Sequence, residues 1–162
     1  MVVPELEGFS TATLNREYDY SGGKIKLSDY LSTVMKQDLE RFLGAGGHVI
    51  FTGIQNQHVQ LLKQLNIEGV SIAGGRDGTE LEISPESQRK LRLSRDRLVA
   101  ANATFSYNVP EGWDAWVGKP GKIGLVISKR FKRGRVTIFG ADFYESNESM
   151  EELLQNSIRF GQ

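Results

Sequence analysis

Gly44-Ala45-Gly46-Gly47 runs directly into His48-Val49-Ile50-Phe51-Thr52, and this junction constrains the fold more than any other stretch of the chain. Upstream of it, Leu31, Val34, Met35, Leu39, Phe42 and Leu43 recur three and four residues apart, the spacing of one apolar helical stripe. Ser28 is placed to cap that helix, with Asp29 near the positive end of its dipole. The glycines supply a left-handed stop. A short β-branched run, apolar enough to be buried on both faces, then follows at once. Helix, glycine stop and buried strand together read as the return of an αβ unit to a parallel sheet.

The other elements are placed around this unit. Val2-Val3 reads as the end of a buried strand closed by Pro4, which has no N–H to donate. Gly8 to Lys26 reads as a long polar loop. A second helix begins after Gly53, capped by Asn56 and carrying Val59, Leu62 and Leu65. Val70 to Ala73 and Leu81 to Ile83 read as two short strands around Gly74-Gly75-Arg76-Asp77-Gly78. From Pro85 to Leu93 a helix and a strand fit equally. Phe105, Tyr107 and Val109 alternate with polar residues as in a half-exposed strand. Gly121 to Ser128 and Arg135 to Phe139 form a hairpin across a basic turn. A closing helix buries Met150, Leu153, Leu154 and Ile158, with Ser149 and Glu152 spaced as a capping box.

At 162 residues the chain fits one domain, 1–162, that buries roughly two-thirds of its unfolded surface. It starts almost inside an apolar run, as an excerpt of a longer protein would. No apolar run approaches the ~20 residues of a membrane span, and no signal peptide is visible, so the cytoplasm is the expected compartment. Cysteine is absent, which removes disulfides, thiolate metal sites and cysteine nucleophiles. The net charge is zero but divided. Arg89 to Arg135 holds twelve basic residues against Asp96, Glu111 and Asp114, a net +9 that the remainder balances with −9. Such asymmetry fits an acidic partner or head-to-tail self-association, and equally a pair of solvated faces.

Three segments carry a family resemblance: Asp38 to Phe51, Lys132 to Gly140, and Leu153 to Ile158. In this order the chain resembles class I glutamine-amidotransferase-like domains, in the branch with ThuA-like proteins and β-galactosidase trimerisation domains. The resemblance implies an α/β fold: a three-layer α/β/α flavodoxin-like sheet, mostly parallel, with an antiparallel C-terminal hairpin. It also implies a strand–turn–helix elbow, matched here by Gly53-Ile54-Gln55-Asn56-Gln57-His58, with Gln55 where the family's nucleophilic cysteine would stand. An amide is neither nucleophile nor base, so glutaminase chemistry through this elbow is out. Some relatives place a histidine after the late strand, where this chain has Ala141-Asp142.

In open α/β sheets ligands bind beyond the carboxyl ends of the strands. The residues expected there are Glu5, Glu7, Thr52, Gln55, Asn56, Asp142 and Glu145. Asp142, Glu145 and Glu5 are the catalytic candidates, as an acid–base pair or as oxygen ligands of a divalent cation. Glu7, Thr52, Gln55 and Asn56 are the ligand-binding candidates. Capping and turn roles explain the same residues without function. His48 and His58 lack metal-ligand spacing. The basic segments invite phosphate contacts, with Phe131 either stacking on a base or folding back onto the hairpin, and Trp113 and Trp116 either meeting a sugar or a partner or covering the edge of the core. The overall neutrality disfavours nucleic acid. The expected role is non-catalytic: ligand recognition or protein assembly, with a protein partner or self-association, no membrane, no metal and no cofactor. A small-molecule ligand is compatible with it. The alternative is a carboxylate-dependent hydrolase or isomerase acting on a carbohydrate-related small molecule.

Overall fold

A computed structural model describes residues 1–3, 11–119, 122–141, 143 and 147–160. Along the chain the elements are β1 (Val2–Val3), α1 (Thr11–Asn15), β2 (Glu17–Tyr20), β3 (Gly23–Lys26), α2 (Leu27–Tyr30), α3 (Lys36–Gly44), β4 (His48–Thr52), α4 (Asn56–Gln64), β5 (Ser71–Gly75), β6 (Glu80–Glu82), α5 (Pro85–Leu91), β7 (Arg97–Val99), β8 (Phe105–Asn108), β9 (Asp114–Lys119), β10 (Ile123–Phe131), β11 (Gly134–Phe139) and α6 (Glu148–Phe160).

β4 and β11 lie side by side and parallel, with His48 opposite Arg135 and Thr52 opposite Phe139. β1 adds to the free edge of β4, also parallel. The remaining pairings of the main sheet are antiparallel: β11 with β10, β10 with β9, β10 with β8, and β8 with β5. This overturns the expected flavodoxin-like, mostly parallel sheet. The molecule is a mixed α/β protein whose main sheet is largely antiparallel. The reason lies in the connections. Parallel neighbours need a crossover of a dozen or more residues, whereas a tight turn forces antiparallel pairing. Only Lys132 and Arg133 separate β10 from β11, the hairpin expected to be antiparallel, and only three residues separate β9 from β10, so β9 pairs antiparallel as well.

Other expectations also change. β5 and β6 are not a hairpin: β5 pairs with β8, whereas β6 pairs with β7 in a separate two-stranded sheet. The segment expected to be a long loop contains α1 and the hairpin β2–β3. Ser84, not a strand, begins the 85–93 region, accepting a bond from Ser87 N at 3.1 Å ahead of Pro85. α6 is capped by Asn147, whose Oδ1 accepts from Met150 N at 3.1 Å. Ser149 and Glu152 instead tie α6 to Ser94 and Arg95.

Alternation along the strands gives each sheet face its own apolar layer. Val49, Phe51, Val136 and Ile138 pack with Leu39, Leu43, Leu61 and Leu65 of the α3–α4 side. Ile50, Phe139, Leu125 and Trp116 pack with Leu91, Met150 and Leu153 of the α5–α6 side. Between α2 and α3 the helix widens into a π-type turn, Leu31–Met35. Ser32 and Thr33 there donate side-chain bonds to Asp29 O at 3.2 and 2.6 Å, competing with the regular backbone pattern. Among the described residues no helix is long and apolar enough to cross a membrane.

Candidate functional site

The carboxyl end of β4 delivers the chain into a turn. Gly53, at φ 62°, donates its N–H toward Phe139 O at 3.1 Å and Ala141 O at 2.8 Å. Gln55 then caps α4 in a relaxed extended conformation, φ −106° and ψ 178°, and Asn56 is the first helical residue rather than the cap. The Gln55 N–H reaches His58 Nδ1 at 3.1 Å. Because Nδ1 accepts this bond, its proton sits on Nε2, and the 3.3 Å approach of Gly53 O is a polar contact, not a second bond. Beneath the turn, the Tyr107 hydroxyl shares its one proton between Ile54 O at 2.9 Å and Phe139 O at 3.2 Å. Tyr107 and His58 are both fully buried.

Thr52, buried, ends β4, and half-buried Gln55 and exposed Asn56 stand at the start of α4 just beyond it. Glu5, Glu7, Asp142 and Glu145 lie outside the described residues. Among the described residues no group of three or more His, Asp or Glu side chains is arranged to hold a metal ion. Tyr107→Phe should lower stability by about 1–2 kcal/mol, because Ile54 O loses its buried donor. Urea denaturation checks this, and an unchanged midpoint would mean that the hydroxyl does not clamp the turn.

The opposite end of the sheet holds a buried polar chain. His48 Nε2 lies 2.8 Å from Thr137 Oγ1, which lies 2.9 Å from Ser128 Oγ. Ser128 Oγ donates to Val136 O at 3.2 Å and accepts from Arg135 Nη1 at 3.0 Å. The proton order follows from counting donors. Ser128 spends its proton on Val136, so Thr137 donates to Ser128 and must accept from His48 Nε2–H. His48 Nδ1 is left as a bare acceptor with no hydrogen-bond partner. The Ser157 backbone faces the ring and favours protonation, although no hydrogen bond of full geometry forms there. Burial dominates, with Arg135 adding to it, and together they lower the His48 pKa to about 4.

Arg135 rests against an edge-to-face aromatic pair, its Cζ 5.6 Å from the Trp116 centroid and 5.3 Å from that of Phe160, with the two centroids 5.5 Å apart. Burial pushes its pKa down, and Asp114, with Oδ2 3.8 Å from Nη1, acts against that shift. A cleft of about 190 Å³ opens here, lined by His48, Arg130, Arg133, Arg135 and Phe160. Gly134 forms its floor against the end of α3. A Cβ at this position would lie 2.3 Å from Gly47 O and 2.7 Å from Leu43 O.

Sequence reasoning missed this chain of buried groups. The available signal was the pair of hydroxyls, Ser128 and Thr137, inside otherwise apolar strand runs; they stand opposite each other in the β10–β11 ladder. The aromatic alternatives are also decided, in favour of the core. Trp113 and Trp116 are 8% and 1% exposed, so neither offers an open ring face to a sugar. Phe131 packs back against the core.

No family model matches the chain, and no curated protein matches it. Among solved structures it is similar to an exo-β-1,4-mannosidase, Op5Man5 from Opitutaceae bacterium strain TAV5, with 16% identity and a TM-score of 0.44. That match covers 80% of this chain and 22% of the mannosidase chain. A likeness at this TM-score carries no argument about fold or activity.

Proposed function

We propose that this chain is a non-catalytic recognition or assembly module, with Gln55 standing where an amidotransferase would hold its nucleophile. The observation that carries this reading is the relaxed, internally bonded turn after β4. A nucleophile elbow presents its residue on a strained turn with an open approach and a neighbouring base. Here the positive φ falls on Gly53 rather than on Gln55. The nearby imidazole, His58, is buried and its Nδ1 is engaged by the Gln55 N–H.

Incubating the protein with glutamine and with aryl glycosides should give no turnover above the uncatalysed rate. Saturable turnover that disappears in Asp142→Asn or Glu145→Gln would overturn the proposal in favour of carboxylate catalysis. Light scattering separates the two non-catalytic roles. Assembly requires a mass at a multiple of the 18.1 kDa chain, whereas recognition is compatible with a monomer.

A further inference from the structure

We propose that the cleft between the β10–β11 turn and the end of α6 is a binding site for a phosphate group, either free phosphate or the head of a phosphomonoester. This rests on the non-catalytic recognition reading above and names the ligand class. Arg130 and Arg135 face each other directly across the ladder, and Arg133 joins them from the turn. Like charges directly opposite in a sheet destabilise it, so this arrangement calls for a shared counter-ion. The protein supplies little of one. Among the described residues Arg130 and Arg133 have no ion pair, and Arg135 approaches only the half-exposed Asp114 at 3.8 Å. Lys132 on the same turn is spoken for by Glu40 at 4.0 Å. Three guanidinium groups less one carboxylate leave a local charge of +2. That matches a phosphate at neutral pH, which carries about −1.5 to −2, better than a monocarboxylate.

His48, only 6% exposed, forms part of the cleft wall, and as a neutral ring whose one proton goes to Thr137 it offers an anion no donor, so the arginines carry the binding. Arg135 is also pre-set for recognition. Its guanidinium rests against the edge-to-face pair of Trp116 and Phe160, and among the described residues only Nη1 is committed to the fold, which leaves N–H donors of Nε and Nη2 for a ligand. The nearby end of α3 does not repel an anion through open carbonyls, because Arg41, Phe42 and Leu43 O already accept from the N–H groups of Ala45, Gly47 and Gly46. Size sets the ligand. Small-molecule pockets generally enclose about 300–1,000 Å³. A cleft of about 190 Å³ takes a single phosphoryl group and leaves the remainder of an ester in solvent.

The test is calorimetric titration at low ionic strength with inorganic phosphate, a hexose phosphate and acetate. Saturable one-to-one binding is expected for a phosphate group, with acetate at least about tenfold weaker. Tighter binding of the hexose phosphate identifies an ester as the ligand, and tighter binding of inorganic phosphate identifies the free ion. Arg130→Ala and Arg133→Ala, both at exposed positions, should each weaken binding about tenfold or more without lowering the thermal midpoint of the free protein. No saturation with either phosphate, equal binding by the variants, or binding only to RNA in proportion to its length would overturn the site. Release of phosphate from the hexose ester would instead sink the non-catalytic reading and leave the site standing.

Discussion

Gly140→Ala is expected to be the most damaging small substitution in this protein, with a loss of about 3 kcal/mol or more. Gly140 sits where three strands meet. Its N–H donates to Leu125 O at 2.8 Å, and its carbonyl accepts from Phe105 N at 3.0 Å. A Cβ there would fall 1.7 Å from Phe105 O and 2.8 Å from Phe105 C. Both are backbone atoms of β8, so no rotamer change relieves the clash. β8 would have to move away from the end of β11, straining the β8–β10 ladder that carries β8 and β5 on the main sheet. Against a total stability of about 5–15 kcal/mol, such a loss is large. Gly44→Ala is the control. Nothing lies within 4 Å of the added Cβ, and the residue ends a helix. The change should be neutral or stabilising by up to about 1 kcal/mol. Denaturant midpoints of the two variants check this, and equal midpoints would contradict the three-strand junction.

A second large effect is expected from pH. His48 titrates at about 4 in the folded chain, mainly because burial disfavours its charged form. Once unfolded it regains an ordinary value near 6.5. The unfolded chain therefore takes up a proton as pH falls through about 6.5, and the folded chain does so only near 4. The stabilisation is complete above about 6.5 and is lost as pH falls from there to about 4. A displacement of this size corresponds to about 3 kcal/mol across the window. Carboxylates titrate over part of the same range, so the comparison is with His48→Gln, whose amide retains an N–H for Thr137. Unfolding free energies at pH 7 and pH 4.5 should fall by about 2 kcal/mol more in the parent than in the variant. Identical slopes would mean that the imidazole is not held neutral by burial.

Both effects arise from long-range placement, and they mark where sequence reasoning ran out. The runs His48 to Thr52 and Gly134 to Phe139 were legible as buried strands because β-branched density is a local property. The turn between β10 and β11 was legible because a basic, glycine-ended loop joined two apolar runs. The turn after Thr52 was legible because Gly53 interrupts the apolar run ahead of a helical spacing, although Gln55 and not Asn56 caps α4. The strand Asp114–Lys119 was not, because Trp116 and Gly118, with Trp113 just before them, look like a loop when taken by themselves. The basic cleft was only half visible. Arg130, Arg133 and Arg135 stand out in the sequence, but their convergence with His48 and Phe160 depends on elements far apart in the chain.

The sequence by itself determined which segments are apolar enough to be buried, the turn between β10 and β11, and that no cysteine chemistry is available. Those properties depend on residues a few positions apart. The tertiary structure alone decided the strand directions, the division of β5 and β6 between two sheets, and the bond between His48 and Thr137, 89 residues apart. Strand direction and pairing are set by which edges find partners once the whole chain closes, and no local window contains that information.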